Sequence, residues 1–267
     1  DVIICPRGSF SAYTLNNKNN ILKNIWLKLL IAPFLKRITW HASSYLEKRD
    51  IESYFTVKEV IIVHDGIDVS RFDTQELYSP QDLITYFTKR EFKYVSEVIC
   101  SIGRLHSIKC FDVLIDAFSL YLKTEPYSKL IIAGGDDGVE EGLRRQIKDL
   151  DLMDSIFLIG EINRDKIPVL LRNSSSFVLA SEFESFGIVV AEALASGLPV
   201  LVSDKTSWID IEKYNCGILA KNKKNDLYKG LLKIQSKDFN RINSINYVKN
   251  NFDWKFISEK FYKSFLK

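Results

Sequence analysis

Ser181-Glu182-Phe183-Glu184-Ser185-Phe186-Gly187, continued by Ile188-Val189-Val190-Ala191-Glu192-Ala193-Leu194-Ala195-Ser196-Gly197-Leu198-Pro199-Val200, decides how this chain folds. The residues before it, 176–180, and after it, 199–203, read as short apolar strands. Between them the segment from about Phe186 is apolar almost all round, as a fully buried helix must be. Strand, turn, buried helix and strand, with both strands covered on both faces, make one unit of a parallel sheet. Two carboxylates interrupt the apolar run. Glu184 stands at the carboxyl end of the first strand, the edge at which open α/β sheets bind ligands. Glu192 lies inside the buried helix, where an ionised carboxylate is costly unless it is paired or faces a cleft. The eight positions between them put the two roughly 10–12 Å apart, and a carboxylate accepts two hydrogen bonds, which suits vicinal hydroxyls. The backbone N–H groups of Ser185, Phe186, Gly187 and Ile188 are expected to lack helical partners and to face an anion.

The same alternation extends outward. Strands are expected at 98–102, 129–133 and 156–159, with amphipathic segments between them, one carrying Phe111, Leu114, Ile115, Phe118 and Leu122 and the next Leu143, Ile147 and Leu150. The fold class is therefore α/β, a doubly wound parallel sheet over 95–250. Residues 1–75 read as the end of another α/β piece, with strands at 1–5 and 60–63 and a helix at 20–38. The polar stretch 76–94, containing Pro80, reads as the interdomain connection. Residues 251–267, with Trp254, Phe256, Ile257, Phe261 and Phe265, read as a terminal amphipathic helix that packs back on the first domain. Because a strand begins at the first residue, an upstream portion of that domain is expected.

Ser101-Ile102-Gly103-Arg104-Leu105-His106-Ser107-Ile108-Lys109 also follows a strand end. Gly103 allows a close turn, and Arg104 and Lys109 offer a fork and a point charge, the usual partners of two phosphates. Two such cations and a helix N-terminus can neutralise a diphosphate without metal. Asp136-Asp137 follow a strand between glycines and read as a turn rather than a metal ligand pair. His106 reads as a loop histidine, and His41 and His64 as structural.

Composition excludes several classes. The chain has 37 Lys/Arg against 34 Asp/Glu, a net charge of +3, too even for a nucleic-acid binder. Residues 1–50 carry eight basic and three acidic side chains, however, so a basic face could meet anionic lipid or a phosphorylated acceptor. The segment 20–38, with Ile21, Leu22, Ile25, Trp26, Leu29 and Leu30 among lysines, reads as a helix packed on the first sheet; an interfacial membrane helix is the alternative. Cys5, Cys100, Cys110 and Cys216 form no C-x-x-C pair and read as buried apolar residues in a reducing compartment. No G-x-G-x-x-G follows a strand, which disfavours a dinucleotide oxidoreductase.

Gly103-Arg104-Leu105 with Lys109, then Gly134-Gly135-Asp136, then Glu184-Ser185-Phe186-Gly187 with Glu192-Ala193, Gly197 and Pro199-Val200, resemble glycosyltransferase family 4 of the GT-B fold. Val63-His64-Asp65-Gly66-Ile67-Asp68 with Phe72 resembles the segment leading from that family's first domain into its second. Pro6-Arg7-Gly8 and His41-Ala42-Ser43-Ser44 with Glu47 resemble the end of the first domain. The resemblance spans nearly the whole chain. It implies retaining transfer of a sugar from a nucleotide-diphosphate donor of UDP or GDP type to a saccharide or lipid-linked acceptor, in cell-surface polysaccharide or glycolipid biosynthesis. It implies no metal and no further cofactor, and a cytoplasmic place, in part peripheral at the inner membrane face. Arg104, Lys109 and Glu184 take the catalytic roles, the cations at the diphosphate and Glu184 at donor hydroxyls. Gly103, Ser185, Phe186, Gly187, Ile188 and Glu192 bind the donor, Glu192 at the ribose diol. Cys110, His64-Asp65, the stretch Lys205-Thr206-Ser207 and Asp210 depart from the family pattern. A sugar-nucleotide epimerase-like enzyme of the same fold, and a donor-binding fragment that does not transfer, are the competing readings.

Overall fold

The computed structural model describes residues 2–11, 14, 25, 27 and 29–265. They form two parallel sheets. The first has order β1-β2-β3, from Val2–Ile4 (β1), Ile38–Ala42 (β2) and Val60–Ile62 (β3). The second has six strands, Glu97–Ile102 (β4), Ser128–Ala133 (β5), Ile156–Leu158 (β6), Ser176–Leu179 (β7), Val200–Ser203 (β8) and Gly217–Ala220 (β9), in the order β6-β5-β4-β7-β8-β9. The chain builds outward from β4 to β6, then returns to the other side of β4 with β7. That reversal makes the carboxyl ends of β4 and β7 the switch point at which such sheets take their ligands.

The helices are Tyr45–Tyr54 (α1), Pro80–Thr88 (α2), Phe111–Tyr121 (α3), Glu140–Asp149 (α4), Lys166–Asn173 (α5), Ile188–Ala195 (α6), Lys224–Ser236 (α7), Arg241–Phe252 (α8) and Trp254–Phe265 (α9). Both faces of the second sheet are covered. Cys100, Ile131, Phe177 and Val202 point into one apolar cluster with α6 and α8, while Ile99, Leu130, Val178 and Leu201 point into the other with α3 and α7. That two-sided burial explains why these strands read as continuous apolar runs.

Several local expectations are refined. The stretch 76–94 is more than a connection: Pro80 sits in the first turn of α2, where its missing N–H costs nothing, and Leu83 and Ile84 are fully buried in the apolar cluster that α6 and α8 form on the second sheet. The helix expected at 20–38 lies largely outside the described residues; within it Ala32–Arg37 is a 3-10 segment and Ile38 already opens β2. That strand is hidden in sequence by Thr39 and His41. His41 is nevertheless buried, because Nε2 bonds the Val63 carbonyl oxygen at 2.8 Å and Nδ1 meets Cys5 Sγ at 3.1 Å. The buried helix of the quoted stretch starts at Ile188 rather than near Phe186, since Gly187 takes φ +77°, a conformation other residues seldom adopt, and turns the chain there.

The two sheets meet through the last helices. Ile67 N–H donates to the Phe252 carbonyl, Trp254 N–H donates back to Ile67, and Trp254 lies over Gly66. Phe261 and Phe265 of α9 present their ring edges to His41. No helix among the described residues is long and apolar enough to cross a membrane.

Candidate functional site

The turn after β4 and the turn after β7 stand side by side at the switch point. The Glu182 N–H donates to the Ile108 carbonyl at 2.9 Å, which ties the two turns together. Lys109, at the end of a short 3-10 segment, then reaches across so that its ammonium pairs with the Glu184 carboxylate, and the Ser181 hydroxyl donates to the same oxygen at 2.9 Å. Both side chains are mostly buried, 17% and 14% exposed. An ion pair held against a sheet edge keeps more of its Coulomb energy than one in open water.

Arg104 does not join that pair. Its guanidinium is 74% exposed and bonds Asp137 at 2.5 Å. A cleft of about 490 Å³ opens beside it at the carboxyl ends of β4, β5 and β6, lined by Gly103, Arg104, Gly134, Asp137, Glu161 and Arg164. Glycine is required here: a Cβ on Gly134 would lie 1.9 Å from the Gly103 carbonyl oxygen, so the two glycine turns touch backbone to backbone. Asp136, read as a turn residue, accepts from the N–H groups of Gly138, Val139 and Glu140. These bonds, the one from Glu140 foremost, hold its carboxyl below the usual range. Among the described residues no group of three or more His, Cys, Asp or Glu is arranged to hold a metal ion.

Glu192 occupies a third environment. It is partly buried on α6, and burial pushes its carboxyl up to about 7, against the pull of Arg71 and Arg164. Desolvation is therefore the dominant cause. Arg71 and Arg164 carry no signal in sequence; only the fold brings a residue that follows β3 and one that follows β6 toward α6.

The turn between Glu184 and α6 is held from behind. The Phe186 carbonyl accepts the Trp208 indole N–H at 2.6 Å and the Ser207 hydroxyl at 3.2 Å. Trp208 is 2% exposed and packs on Phe186, Phe252 and Tyr247. Gly187 fits between Trp208 and Glu184, its absent Cβ 3.3 Å from Trp208 Nε1. Thus Ser207, one of the residues that depart from the family pattern, has a partner of its own, while a tryptophan amid polar neighbours was the only sequence sign of Trp208.

The first sheet supplies the facing wall. After β1 the Pro6-Arg7-Gly8 turn runs up to the second sheet, where a Cβ on Gly8 would meet the Phe183 ring at 3.0 Å and Ser185 at 3.6 Å. The Arg7 guanidinium pairs with Asp65. Glu47, 1% exposed, fixes the turn: one carboxylate oxygen accepts the Gly8 N–H at 2.7 Å, and the other accepts the Ser43 N–H and hydroxyl, both at 2.7 Å. Ser44-x-x-Glu47 begins as a capping box, with the Ser44 hydroxyl accepting the Glu47 N–H. The carboxylate, however, reaches past the usual cap N–H to the neighbouring turn. His64 Nδ1–H donates to the Ser43 carbonyl at 2.7 Å and the ring stacks on Phe186; burial lowers its pKa below the ordinary value.

Known proteins share this architecture. Anabaena HepE in complex with UDP and glucose superposes with a TM-score of 0.79 at 18% identity, over 98% of this chain and 70% of that one. That likeness places the chain in the GT-B fold. In sequence, mannosylfructose-phosphate synthase of Agrobacterium fabrum is 30% identical over 153 residues, which cover 55% of this chain but 33% of that protein. An uncharacterized glycosyltransferase of Haemophilus influenzae is 30% identical over 262 residues, covering 92% of this chain and 72% of that protein. The chain thus spans a third of the one relative's length and under three quarters of the other's. Residues 85–250, which hold the paired turns, the glycine contact and Glu192, match the family described as glycosyl transferases group 1, and to that family the chain belongs.

Proposed function

We propose that this chain carries the nucleotide-sugar site of a retaining glycosyltransferase of family 4, which moves a sugar from a UDP- or GDP-type donor to a saccharide or lipid-linked acceptor. The observation that carries the reading is the Lys109–Glu184 pair at the switch point. A cation and a hydroxyl-binding carboxylate are adjacent where a diphosphate and its sugar would lie. On binding, Lys109 exchanges the carboxylate for phosphate oxygens, Arg104 turns from Asp137 to the same diphosphate, and Glu184 accepts donor-sugar hydroxyls. As the sugar C–O bond breaks, both cations stabilise the charge gathering on the leaving diphosphate, the step in which preorganised charge counts most. Glu192 accepts the ribose diol, and the cleft beside Gly134 and Glu161 takes the base.

Two further readings belong to the proposal. The first sheet, with its Glu47-held turn, forms the acceptor side, and the basic first fifty residues suit a phosphorylated or membrane-borne acceptor of cell-surface glycan assembly. The donor site works without metal, its positive charge coming from Arg104 and Lys109.

Titration with UDP and with GDP, with and without EDTA, tests this on the chain and on the Glu192→Ala and Arg104→Ala variants. Binding of one nucleotide, indifferent to EDTA and weakened in both variants, is expected. Failure of a folded protein to bind either nucleotide would refute the donor site. Turnover of a nucleotide sugar to its epimer without acceptor would favour an epimerase instead.

A further inference from the structure

We infer that Trp208, with Ser207, is the positioning residue that sets the donor-sugar amide of this site, an inference that rests on the donor reading above. A trans peptide is planar, so its C=O and the next N–H point in opposite directions. The Phe186 carbonyl is drawn to the interior by two donors at once, Trp208 Nε1 at 2.6 Å and Ser207 Oγ at 3.2 Å. The Gly187 N–H of the same peptide is thereby turned away from Trp208, and it is on that side that the inference puts the donor sugar. Three features make this orientation a built one. Trp208 is 2% exposed and locked edge and face against Phe186, Phe252 and Tyr247, so its N–H has one direction available. Gly187 holds φ +77° and abuts both Trp208 Nε1 and Glu184, so no side chain could stand between them. The helix that follows starts at Ile188 and gives the Gly187 N–H no intrahelical acceptor, because the first turn's donors lie at its open end.

The device differs from a cap. A capping side chain would satisfy the N–H groups and remove them from ligand reach. Here the side chains satisfy the carbonyl and leave the N–H as a fixed donor. With the carbonyl released, the peptide can rotate and present its oxygen to the sugar, which loses one donor and adds a repulsive acceptor.

The test compares UDP and GDP with UDP-glucose and GDP-mannose as titrants of the unaltered chain, Trp208→Phe, Ser207→Ala and the double variant, using calorimetry, with thermal unfolding alongside. Trp208→Phe removes the N–H together with the five-membered half of a buried indole, so thermal unfolding reads the packing lost with it separately from the affinity, and Ser207→Ala withdraws a donor without touching the aromatic cluster. The expected result is that the double variant binds the nucleotide sugar about tenfold more weakly, the worth of roughly one hydrogen bond, while binding of the bare nucleotide changes less than twofold. Ser207→Ala, which removes one hydroxyl and its 3.2 Å bond to Phe186, should give a smaller loss in the same direction. Equal weakening for nucleotide and nucleotide sugar, or no change in either while the unaltered chain binds both, would overturn the positioning role and leave the donor site standing. Absence of binding of all four titrants to the folded, unaltered chain would overturn the donor reading and this role with it.

Discussion

Two glutamates sit on helices that follow strands of the two sheets, and their surroundings are opposite. Glu47, on α1 after β2, is buried and accepts two backbone N–H groups and a hydroxyl at 2.7 Å. Glu192, on α6 after β7, is partly buried and desolvated, and no hydrogen bond reaches its carboxylate among those of the described residues; the charges of Arg71 and Arg164 pull against that desolvation. The first carboxylate is a structural tie. The second carries the electrostatic strain of a group suited to donors that the protein does not itself supply. The contrast separates a carboxylate that the fold satisfies from one that it leaves without a hydrogen-bond donor, although both residues are acidic, helical and at least partly shielded from water.

Replacing the tie should cost most. Glu47→Ala leaves the Gly8 and Ser43 N–H groups without their acceptor in a buried site, which should remove about 3 kcal/mol of stability. Urea unfolding measures it, and a loss below 1 kcal/mol would show that the turn re-forms without the tie. Glu192→Gln should act the other way. Its folded carboxyl stands at about 7 against an ordinary 4.5. A raised carboxyl stabilises the fold below the ordinary value, and that contribution is lost as pH rises through 7. At pH 8 the glutamine variant should therefore be about 1–2 kcal/mol more stable than the unaltered chain, after allowance for partial exposure, and the two should converge near pH 4. Greater stability of the unaltered chain at pH 8 would mean that Glu192 is paired after all.

Binding sharpens the same contrast. If Glu192 takes the ribose diol as proposed, its ionised form accepts two hydroxyls better than its protonated form, so nucleotide affinity should rise severalfold from pH 6 to pH 8 and rise less in Glu192→Gln, where only the phosphate titrates. A flat profile in the unaltered chain would detach Glu192 from the ligand. The smallest stability effect belongs to Arg104→Ala. An exposed pair with Asp137 is worth under about 0.5 kcal/mol, so unfolding should hardly move while diphosphate affinity falls about tenfold or more. Parallel losses in both measurements would make Arg104 a structural residue.

Much of the larger sheet was legible. Apolar runs at 98–102, 129–133, 156–159, 176–180 and 199–203 correspond to β4 through β8, since a strand covered on both faces has no polar positions to disguise it. β2 and β9 were missed. In β2 the polar Thr39 and His41 break the apolar run, and the partners that make His41 tolerable, Cys5 and Val63, are remote in sequence. In β9 the strand opens on Gly217, which packs on the Val200 backbone where any Cβ would lie 2.2 Å from its oxygen. Of the site, Lys109, Glu184 and Arg104 could be singled out by type and position at strand ends. Their pairing could not, because it depends on which turns the strand order makes neighbours.

The residue pattern by itself determined that this chain builds a buried parallel sheet with charge concentrated at strand ends, because apolar periodicity and glycine turns are local properties read along one segment. Tertiary structure decided the rest. Strand order β6-β5-β4-β7-β8-β9 places the turn after β4 against the turn after β7, so Lys109 meets Glu184, seventy-five positions away. The packing of 204–210 behind the Glu184 turn makes Trp208 a donor to Phe186, and the crossing of α1 makes Glu47 the tie of a turn thirty-nine positions upstream. Such contacts arise from closing the chain around shared cores, and their partners are set by geometry that no stretch of sequence contains.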